Sequence, residues 1–175
     1  MKIIGIVPAR MAASRFPGKP LKLIKGKPMI EHVFERAKMY KKWNSLSIAT
    51  CDKEIKEFSK SKNYNCIMTS KKHTRCLERV FEALNKLREK PNHDDIIVCV
   101  QGDEPLLYPK MIEAAVNPLL KNKKILSTVL SMNIIHYSQF VNPNIVKIIH
   151  DTKGRVLYAS RAPVPYCKNF SKKLN

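Results

Sequence analysis

Runs of mostly apolar residues divide the first hundred positions of the chain into four predicted β-strands. They cover residues 2–8, 46–50, 66–68 and 95–100, and polar segments separate them. Continuous apolar runs of this length are typical of parallel strands that are buried on both faces. We therefore expect a parallel sheet at the centre of the fold.

Segments with helical spacing lie between these strands. After Pro28, apolar residues recur at i, i+3, i+4 and i+7, namely at Ile30, Val33, Phe34 and Ala37. A short polar helix is predicted over residues 53–62. A third, amphipathic helix is indicated by Leu77, Val80, Phe81, Leu84 and Leu87. Its outer side carries Glu82 and Lys86 as an i, i+4 pair.

The pattern after Pro109 predicts one more helix and three more strands. The helix places Ile112, Ala115, Val116 and Leu119 on one face. Pro118 is expected to end or kink this helix, because proline lacks the backbone N–H that the helix needs. The strands are predicted over residues 125–132, 145–150 and 156–160.

Alternation of strands and helices predicts an α/β fold, a Rossmann-like three-layer sandwich. We expect one domain over residues 1–167 and a disordered tail over residues 168–175. Ligands of such sheets bind beyond the carboxyl ends of the strands. Two loops follow strand ends with suitable chemistry, residues 10–19 and residues 101–105.

The charge of the chain admits two interpretations. There are 33 Lys and Arg residues against 14 Asp and Glu residues, which gives a net charge of +19 and a pI near 9.9. Such a balance occurs in nucleic-acid-binding proteins. However, the lysines are spread along the whole chain, and no helix-turn-helix or aromatic RNA-binding pattern accompanies them. We therefore expect most of this charge to be solvated surface, with no nucleic acid as a partner.

Cysteine usage and hydropathy indicate a cytoplasmic protein. The five cysteines form no Cys-x-x-Cys pair, so reduced thiols are expected rather than a disulfide framework. His73 and Cys76 have a spacing suited to zinc, but no second pair completes four ligands. No apolar run approaches the roughly 18 residues of a membrane span, and the first apolar run is too short for a signal peptide.

The first loop has the chemistry of a polyphosphate site. Arg10, Arg15 and Lys19 lie within ten residues of one another, among small residues that let a ligand approach the backbone. Guanidinium and ammonium groups bind phosphates by bidentate and point-charge contacts. The glycine spacing of a Walker loop or a dinucleotide fingerprint is absent. An ordinary solvated basic loop is the alternative.

The second loop has the chemistry of a magnesium site. Asp103 follows a buried strand, and Mg²⁺ binds one or two carboxylates together with substrate phosphates. Gly102 is expected to remove side-chain bulk where a ligand would sit. An ordinary turn is again the alternative. Together, the two loops predict a site for phosphate and Mg²⁺.

Beyond these loops, the sequence resembles the 3-deoxy-D-manno-octulosonate (Kdo) cytidylyltransferases, also called CMP-Kdo synthetases. The similar segments are Pro8-Ala9-Arg10, Ser14-Arg15-Phe16-Pro17-Gly18-Lys19-Pro20-Leu21, Gly26-Lys27-Pro28-Met29-Ile30, Ile48-Ala49-Thr50-x-Asp52, Val100-Gln101-Gly102-Asp103-Glu104-Pro105, Asn142-Pro143-Asn144-x-Val146-Lys147 and Tyr158-x-Ser160-Arg161-x-x-Val164-Pro165. The likeness is collinear over almost the whole chain. The Gln-Gly-Asp-Glu-Pro segment is more specific to the Kdo branch than the first loop is.

The resemblance implies a fold of the nucleotide-diphospho-sugar transferase type and transfer of CMP from CTP to Kdo, with release of pyrophosphate, for lipopolysaccharide biosynthesis. It implies that Arg10 and Lys19 act at the triphosphate and that Asp103 holds Mg²⁺ at the α-phosphate. The substrate-binding residues implied by the resemblance are Ala9, Ser14, Arg15, Gln101, Lys147 and Arg161, the last two facing the sugar acid. The family also forms homodimers, and no membrane partner is implied.

Two departures from the family pattern leave alternatives open. The family's Ser-Gly-Thr before the Glu-Arg pair is replaced by Arg75-Cys76-Leu77, whereas Glu78-Arg79 is retained. Family members also continue past the Tyr-x-Ser-Arg segment, so the chain is expected to correspond to their N-terminal part. One alternative is a sibling enzyme for another acidic sugar, such as an amino-Kdo or an acylneuraminate. Another is a non-catalytic binding protein built on the same fold.

Overall fold

The computed structural model describes residues 1–12 and 16–167. The chain separates into two compact units, Met1–Thr128 and Val129–Asn175. The single domain expected over residues 1–167 stays a prediction, and the tail expected over residues 168–175 lies outside the described residues.

The first unit is built on a sheet of four parallel strands, in the order β5, β4, β1, β6. These strands are β1 (Ile3–Ala9), β4 (Ser45–Thr50), β5 (Cys66–Met68) and β6 (Ile96–Cys99). A small hairpin, β2 (Leu23–Ile24) and β3 (Lys27–Pro28), lies between β1 and the first helix. All four strands predicted in the first hundred residues are confirmed.

Helices cover both faces of this sheet. They are α1 (Met29–Lys38), α2 (Lys53–Ser61), α3 (Cys76–Asn85) and α4 (Pro109–Lys121). One core combines Ile3 and Val7 of β1 with apolar residues of α1, α2 and α4. A second core combines Ile4 and Ile6 with Val80, Ala83 and Leu84 of α3. Because alternate side chains of β1 point to opposite faces, this strand supports both cores. The three-layer α/β sandwich is therefore confirmed.

The helices depart from the predictions at two points. The apolar face predicted for α3 is only partly buried: Leu84 is 9% exposed, but Leu77 is 65% and Phe81 68% exposed. The apolar residues of α3 do recur at helical spacing, but the buried residues that this helix contributes to the second core are Val80, Ala83 and Leu84. The helix α4 does not end at Pro118, and continues to Lys121. Proline removes one hydrogen bond there, and burial of Ile112 and Val116 holds the helix in place.

The second unit contains α5 (Tyr137–Val141), β7 (Lys147–His150) and β8 (Val156–Ser160). The two strands form an antiparallel pair of their own. The strands predicted near 145–150 and 156–160 are confirmed, whereas residues 125–132 form no strand. Most of residues 125–132 are exposed, and their backbone pairs with no strand in the described part of the chain. No helix in the described part of the chain is long and apolar enough to cross a membrane.

Candidate active site

The order of the sheet brings the two predicted loops together. The strand β1 is the switch point of the sheet: the chain proceeds from β1 to β4 and β5 on one side, then returns to β6 on the other. The strands β1 and β6 are parallel neighbours, so the loops that follow them leave the same edge side by side. A cleft of about 230 Å³ opens at this edge.

Three segments of the first unit line the cleft. The end of β1 and the following loop contribute Pro8, Ala9, Arg10, Lys19 and Pro20. The loop before α3 and the start of that helix contribute His73, Thr74, Arg75, Cys76 and Arg79. The loop after β6 contributes Gln101, Gly102 and Asp103, and Met29 of α1 completes the lining. Five of the predicted site residues, Ala9, Arg10, Lys19, Gln101 and Asp103, thus lie around one cleft.

An ion pair joins the two loops across the mouth of this cleft. Lys19 Nζ donates to Asp103 Oδ2 at 2.9 Å, and the side chains are 35% and 55% exposed. An exposed pair of this kind contributes at most about 1 kcal/mol to stability. A polyphosphate and a divalent cation can therefore separate the two groups at little cost, since each would gain a partner of opposite charge.

The basic loop is closed by hydrogen bonds between its ends. Gly18 N donates to Met11 O at 2.9 Å, and Gly18 adopts a left-handed conformation with φ of 71°. Met11 N donates to Asp52 Oδ2 at 2.8 Å, so a carboxylate that follows β4 fixes the point where the loop leaves β1. Ser14 and Arg15, predicted to bind substrate, lie outside the described residues.

Gly102 is required for a reason that differs from the predicted one. A Cβ atom at this position would lie 2.4 Å from the carbonyl oxygen of Pro8. Atoms this close overlap strongly, so any other residue would push the two loops apart. The space beside Gly102 is therefore filled by the β1 backbone, and the expectation that it is kept clear for a ligand is wrong. The backbone of Gly102 still lines the cleft.

Glu82 anchors the third wall of the cleft. Its carboxylate accepts hydrogen bonds from Ser70 N at 2.8 Å, from Lys86 Nζ at 2.7 Å, and contacts His73 Nε2. These hydrogen bonds lower the pKa of Glu82 to about 2. The bond from Lys86 has the largest effect, followed by those from Ser70 and His73. The predicted Glu82–Lys86 pair is confirmed, but no pattern in the sequence indicated that the same carboxylate holds the loop of residues 70–73.

Arg79 is a buried cation in the same wall. Its side chain is 3% exposed, and its Nη1 donates to Thr69 Oγ1 at 2.5 Å and to Ser70 O at 3.3 Å. Within residues 1–12 and 16–167, Nη2 finds no hydrogen-bond partner. Arg79 therefore braces the end of β5 against α3. The retained Glu-Arg pair in the sequence was the signal that could have identified it.

The residues that replace the family's Ser-Gly-Thr lie at the start of α3. Arg75 precedes the helix and Cys76 is its first residue; both are exposed and line the cleft. Leu77 is exposed as well. The sequence departure therefore changes the surface of the cleft itself.

Lys147 and Arg161 belong to the second unit. Lys147 is buried, and its ammonium donates to the carbonyl oxygens of Asn142, Ile145 and Arg161 at 2.7 to 2.9 Å. These three bonds use all three of its donors, so Lys147 stabilises its own unit instead of offering an ammonium to a sugar acid. Arg161 is exposed, and its Nη1 donates to Pro143 O at 3.0 Å and to Asn144 O at 3.2 Å.

The donors at the cleft fit a magnesium ion that is shared with a substrate. Asp103 supplies one carboxylate at the cleft, and no group of three or more His, Cys, Asp or Glu side chains in the described ranges could hold a metal alone. Mg²⁺ commonly binds one or two protein carboxylates and completes its shell with phosphate oxygens and water. The arrangement therefore suits a metal that arrives with a polyphosphate.

Comparisons with known proteins agree on one family. The cytidylyltransferase family matches residues 4–175. The chain is 40% identical to the 3-deoxy-manno-octulosonate cytidylyltransferase of Thermodesulfovibrio yellowstonii over 98% of its own length and 70% of that protein. It is 42% identical to the enzyme of the same name from Cellvibrio japonicus, over 95% of this chain and 64% of that one. The chain thus spans about two thirds of the length of these relatives.

A solved structure shows the same similarity in three dimensions. A CMP:2-keto-3-deoxy-manno-octonic acid synthetase in complex with CTP superposes with a TM-score of 0.81 and 30% sequence identity, covering 98% of this chain and 69% of that one. A 4-diphosphocytidyl-2C-methyl-D-erythritol synthase, with 17% identity and a TM-score of 0.55, shares the fold.

Proposed function

Because this chain belongs to the cytidylyltransferase family, with 3-deoxy-manno-octulosonate cytidylyltransferases among its relatives, we propose that it activates Kdo with CTP for lipopolysaccharide biosynthesis. The products are CMP-Kdo and pyrophosphate. The observation that carries this proposal is the cleft in which Arg10 and Lys19 meet Asp103 at the switch point of the sheet. The solved relative is complexed with CTP, which supports CTP as the nucleotide that this chain binds.

The reaction requires fixed cations beside the phosphates, and the cleft is lined by such groups. The anomeric hydroxyl of the sugar attacks the α-phosphorus, and the bond from that phosphorus to the pyrophosphate oxygen breaks. Negative charge builds up on the phosphate oxygens, and fixed cations lower the barrier. Arg10 and Lys19 line the cleft at the two ends of the first loop, and we assign them the role of holding the triphosphate and offsetting this charge.

Asp103 is the residue that would hold Mg²⁺. When bound, the metal neutralises phosphate charge and orients the α-phosphate. For this, Asp103 must exchange its ammonium partner Lys19 for the metal, and Lys19 must exchange the carboxylate for a phosphate. Gln101 lines the cleft beside Asp103, and we assign it a contact with the nucleotide. Ala9, buried at the end of β1, offers backbone groups at the same edge.

The sugar acid is assigned less directly. Arg161 is exposed and is the candidate in the second unit for the sugar carboxylate, whereas Lys147 is occupied by three carbonyl groups. Neither Ser14 nor Arg15 is needed for the geometric argument, and their contacts with substrate stay predictions.

Pyrophosphate release tests the proposal. The full chain is incubated with CTP, Mg²⁺ and Kdo, and then with an amino-Kdo or an acylneuraminate in place of Kdo. We expect release with Kdo above that with either other acid. Higher release with another acid would identify a sibling enzyme. Calorimetric binding of CTP with Mg²⁺, but no release with any acid, would identify a binding protein. Absence of CTP binding would overturn the assignment of the cleft.

A further inference from the structure

The side chains that line the cleft carry an unbalanced positive charge. Among the described residues, the carboxylate of Asp103 is the one acidic group in the lining, and it is already paired with Lys19 at 2.9 Å. Four cationic side chains line the same cleft, namely those of Arg10, Lys19, Arg75 and Arg79. The three arginines form no ion pair with a carboxylate in the described part of the chain. Because like charges repel unless an anion lies between them, the lining suits a ligand with several negative charges.

Two of these arginines, Arg10 and Arg75, belong to segments that touch each other. Arg10 Nη1 donates to His73 O at 3.5 Å, so the Arg10 side chain reaches from the end of β1 to the loop before α3. Arg75 follows His73 by two positions in this loop and lines the cleft. Arg10 and Arg75 are both exposed. Both guanidinium groups are therefore accessible to an anion that enters the cleft.

Glu78 fixes the backbone from which the Arg75 side chain projects. Glu78 Oε2 accepts hydrogen bonds from Thr74 N and from Arg75 N, both at 3.2 Å. Its carboxylate is thus used on backbone amides, and no ion pair between it and the Arg75 guanidinium is formed in the described ranges. The family pattern has serine where this chain has Arg75. The departure from that pattern therefore adds a cation to the cleft, at a position that the retained Glu78 holds in place.

We propose that Arg75 is a specificity-determining residue that binds a pyrophosphate group together with Arg10. This role rests on the proposed function, in which the group is the β,γ-part of CTP before the reaction and free pyrophosphate after it. Guanidinium groups bind phosphate oxygens through paired N–H bonds, and two of them match the several charges of this group. A nucleoside monophosphate lacks the group, so Arg75 favours CTP over CMP. The same contact lets free pyrophosphate compete with CTP for the cleft.

Titration calorimetry with sodium pyrophosphate at constant ionic strength tests this role without CTP or sugar. In the full chain, Arg75→Ser should weaken pyrophosphate binding by at least about tenfold, because the charge-assisted bonds of one guanidinium are lost. Arg75→Lys should lose less, because it keeps the charge but not the paired N–H groups. Arg88→Ser is the matched control: it removes the same charge from an exposed position outside the cleft lining, and should stay within about twofold of wild type.

Several results would overturn the role of Arg75. These are absence of pyrophosphate binding by the wild type, equal affinities of wild type and Arg75→Ser, and equal losses in Arg75→Ser and Arg88→Ser. Arg75→Ser should fold as the wild type does, because Arg75 occupies the N-cap of α3 and serine is a preferred residue there. Thermal unfolding of the variants checks this.

Binding of CTP and of CMP, each with Mg²⁺, locates the contact on the nucleotide. Arg75→Ser should weaken CTP binding by at least about tenfold and CMP binding by less than about twofold, because CMP lacks the pyrophosphate group. Equal losses for the two nucleotides would place Arg75 at the α-phosphate or the cytidine and overturn the assignment.

The same experiments separate this inference from the proposed function. If no sugar acid supports pyrophosphate release while Arg75→Ser still weakens binding of inorganic pyrophosphate, the proposed function fails and the role of Arg75 stands. If the wild type releases pyrophosphate with Kdo but Arg75→Ser binds pyrophosphate as tightly as the wild type does, the role of Arg75 fails and the proposed function stands.

Discussion

At the residue scale, the exposed Lys19–Asp103 pair joins the two loops of the cleft. The pair is a poor source of stability, because water competes for both groups and the side chains lose freedom when they pair. Its value lies in placing a cation and a carboxylate at the same opening, where a polyphosphate and Mg²⁺ can each find a partner of opposite charge. Substitutions here should therefore change activity far more than stability.

Asp103→Asn should lower Mg²⁺-dependent pyrophosphate release by about 10²–10³-fold, because one preorganised charge is lost at the reacting phosphate. The free energy of unfolding should change by less than about 1 kcal/mol, since the pair is exposed. Initial rates and urea denaturation provide the two measurements. Glu113→Gln is the matched control, because Glu113 pairs with Lys42 at 3.8 Å outside the cleft. Equal rates for wild type and Asp103→Asn would remove Asp103 from the reaction.

Gly102→Ala should weaken CTP binding by about tenfold or more, because its methyl group would overlap the Pro8 carbonyl oxygen and separate the two loops. Overpacking of this kind also costs roughly 1–3 kcal/mol of stability. Gly154→Ala is the control: no atom lies within 4 Å of its added methyl group, and its φ of +80° is the sole source of strain. Titration calorimetry and thermal unfolding measure both effects. A Gly102→Ala protein with wild-type affinity would show that the loops tolerate displacement.

At the element scale, α3 performs two tasks with different faces. Its buried face, with Val80, Ala83 and Leu84, closes the second core against the sheet. Its first turn and Glu82 shape and anchor the wall of the cleft. Leu77 and Phe81 take part in neither core, although the periodicity of the sequence groups them with the buried residues.

The two leucines of α3 provide a matched comparison of these faces. Leu84→Ala should destabilise the protein by about 2–4 kcal/mol, because it opens a cavity in the second core. Leu77→Ala should change stability by less than about 0.5 kcal/mol, because that side chain is exposed. Denaturant unfolding of both variants gives the values. Equal losses would mean that Leu77 is covered in solution.

Glu82 should make the stability of the α3 region depend on acidity. Its pKa is lowered to about 2 from an ordinary value of 4.5, so its bonds stabilise the folded state fully above pH 4.5. That contribution is lost as the pH falls from 4.5 towards 2. The difference in melting temperature between wild type and Glu82→Gln should therefore shrink over this interval. Glu57→Gln, at an exposed position of α2, should differ from wild type by the same small amount throughout. A constant Glu82→Gln difference would contradict the anchoring role.

At the scale of the whole molecule, every lining residue of the cleft lies in the first compact unit, Met1–Thr128. Arg161 lies in the second unit, Val129–Asn175. The proposed nucleotide site and the candidate sugar contact thus belong to different units. Of the basic residues that the structure describes, four line the cleft, namely Arg10, Lys19, Arg75 and Arg79, so the net charge of +19 says little about the site.

A shortened chain ending at Thr128 should bind CTP with Mg²⁺ within about threefold of the full chain, because it retains every lining residue. It should release no pyrophosphate with Kdo, because Arg161 is absent. Circular dichroism establishes that the shortened chain is folded, and calorimetry compares affinities. Arg161→Ala in the full chain is the companion variant and should keep CTP affinity. A folded shortened chain without CTP affinity would show that the second unit contributes to the nucleotide site.

The sequence by itself determined the alternation of strands and helices, the three-layer class and the two loops that carry the chemistry. These features follow from local periodicity and from the polarity of short segments. Both are properties of the residue order alone. The same local rules failed at residues 125–132, where an apolar run forms no strand, because a strand needs a partner that no local pattern supplies.

Tertiary structure alone decided which groups meet. The sheet order β5, β4, β1, β6 placed Lys19 beside Asp103, which are 84 residues apart. Close approach of two loops explained Gly102. Folding also enclosed the Lys147 ammonium among three carbonyl groups, so a residue that resembled a ligand became a structural one. Such juxtapositions depend on distances between remote segments, which periodicity does not encode.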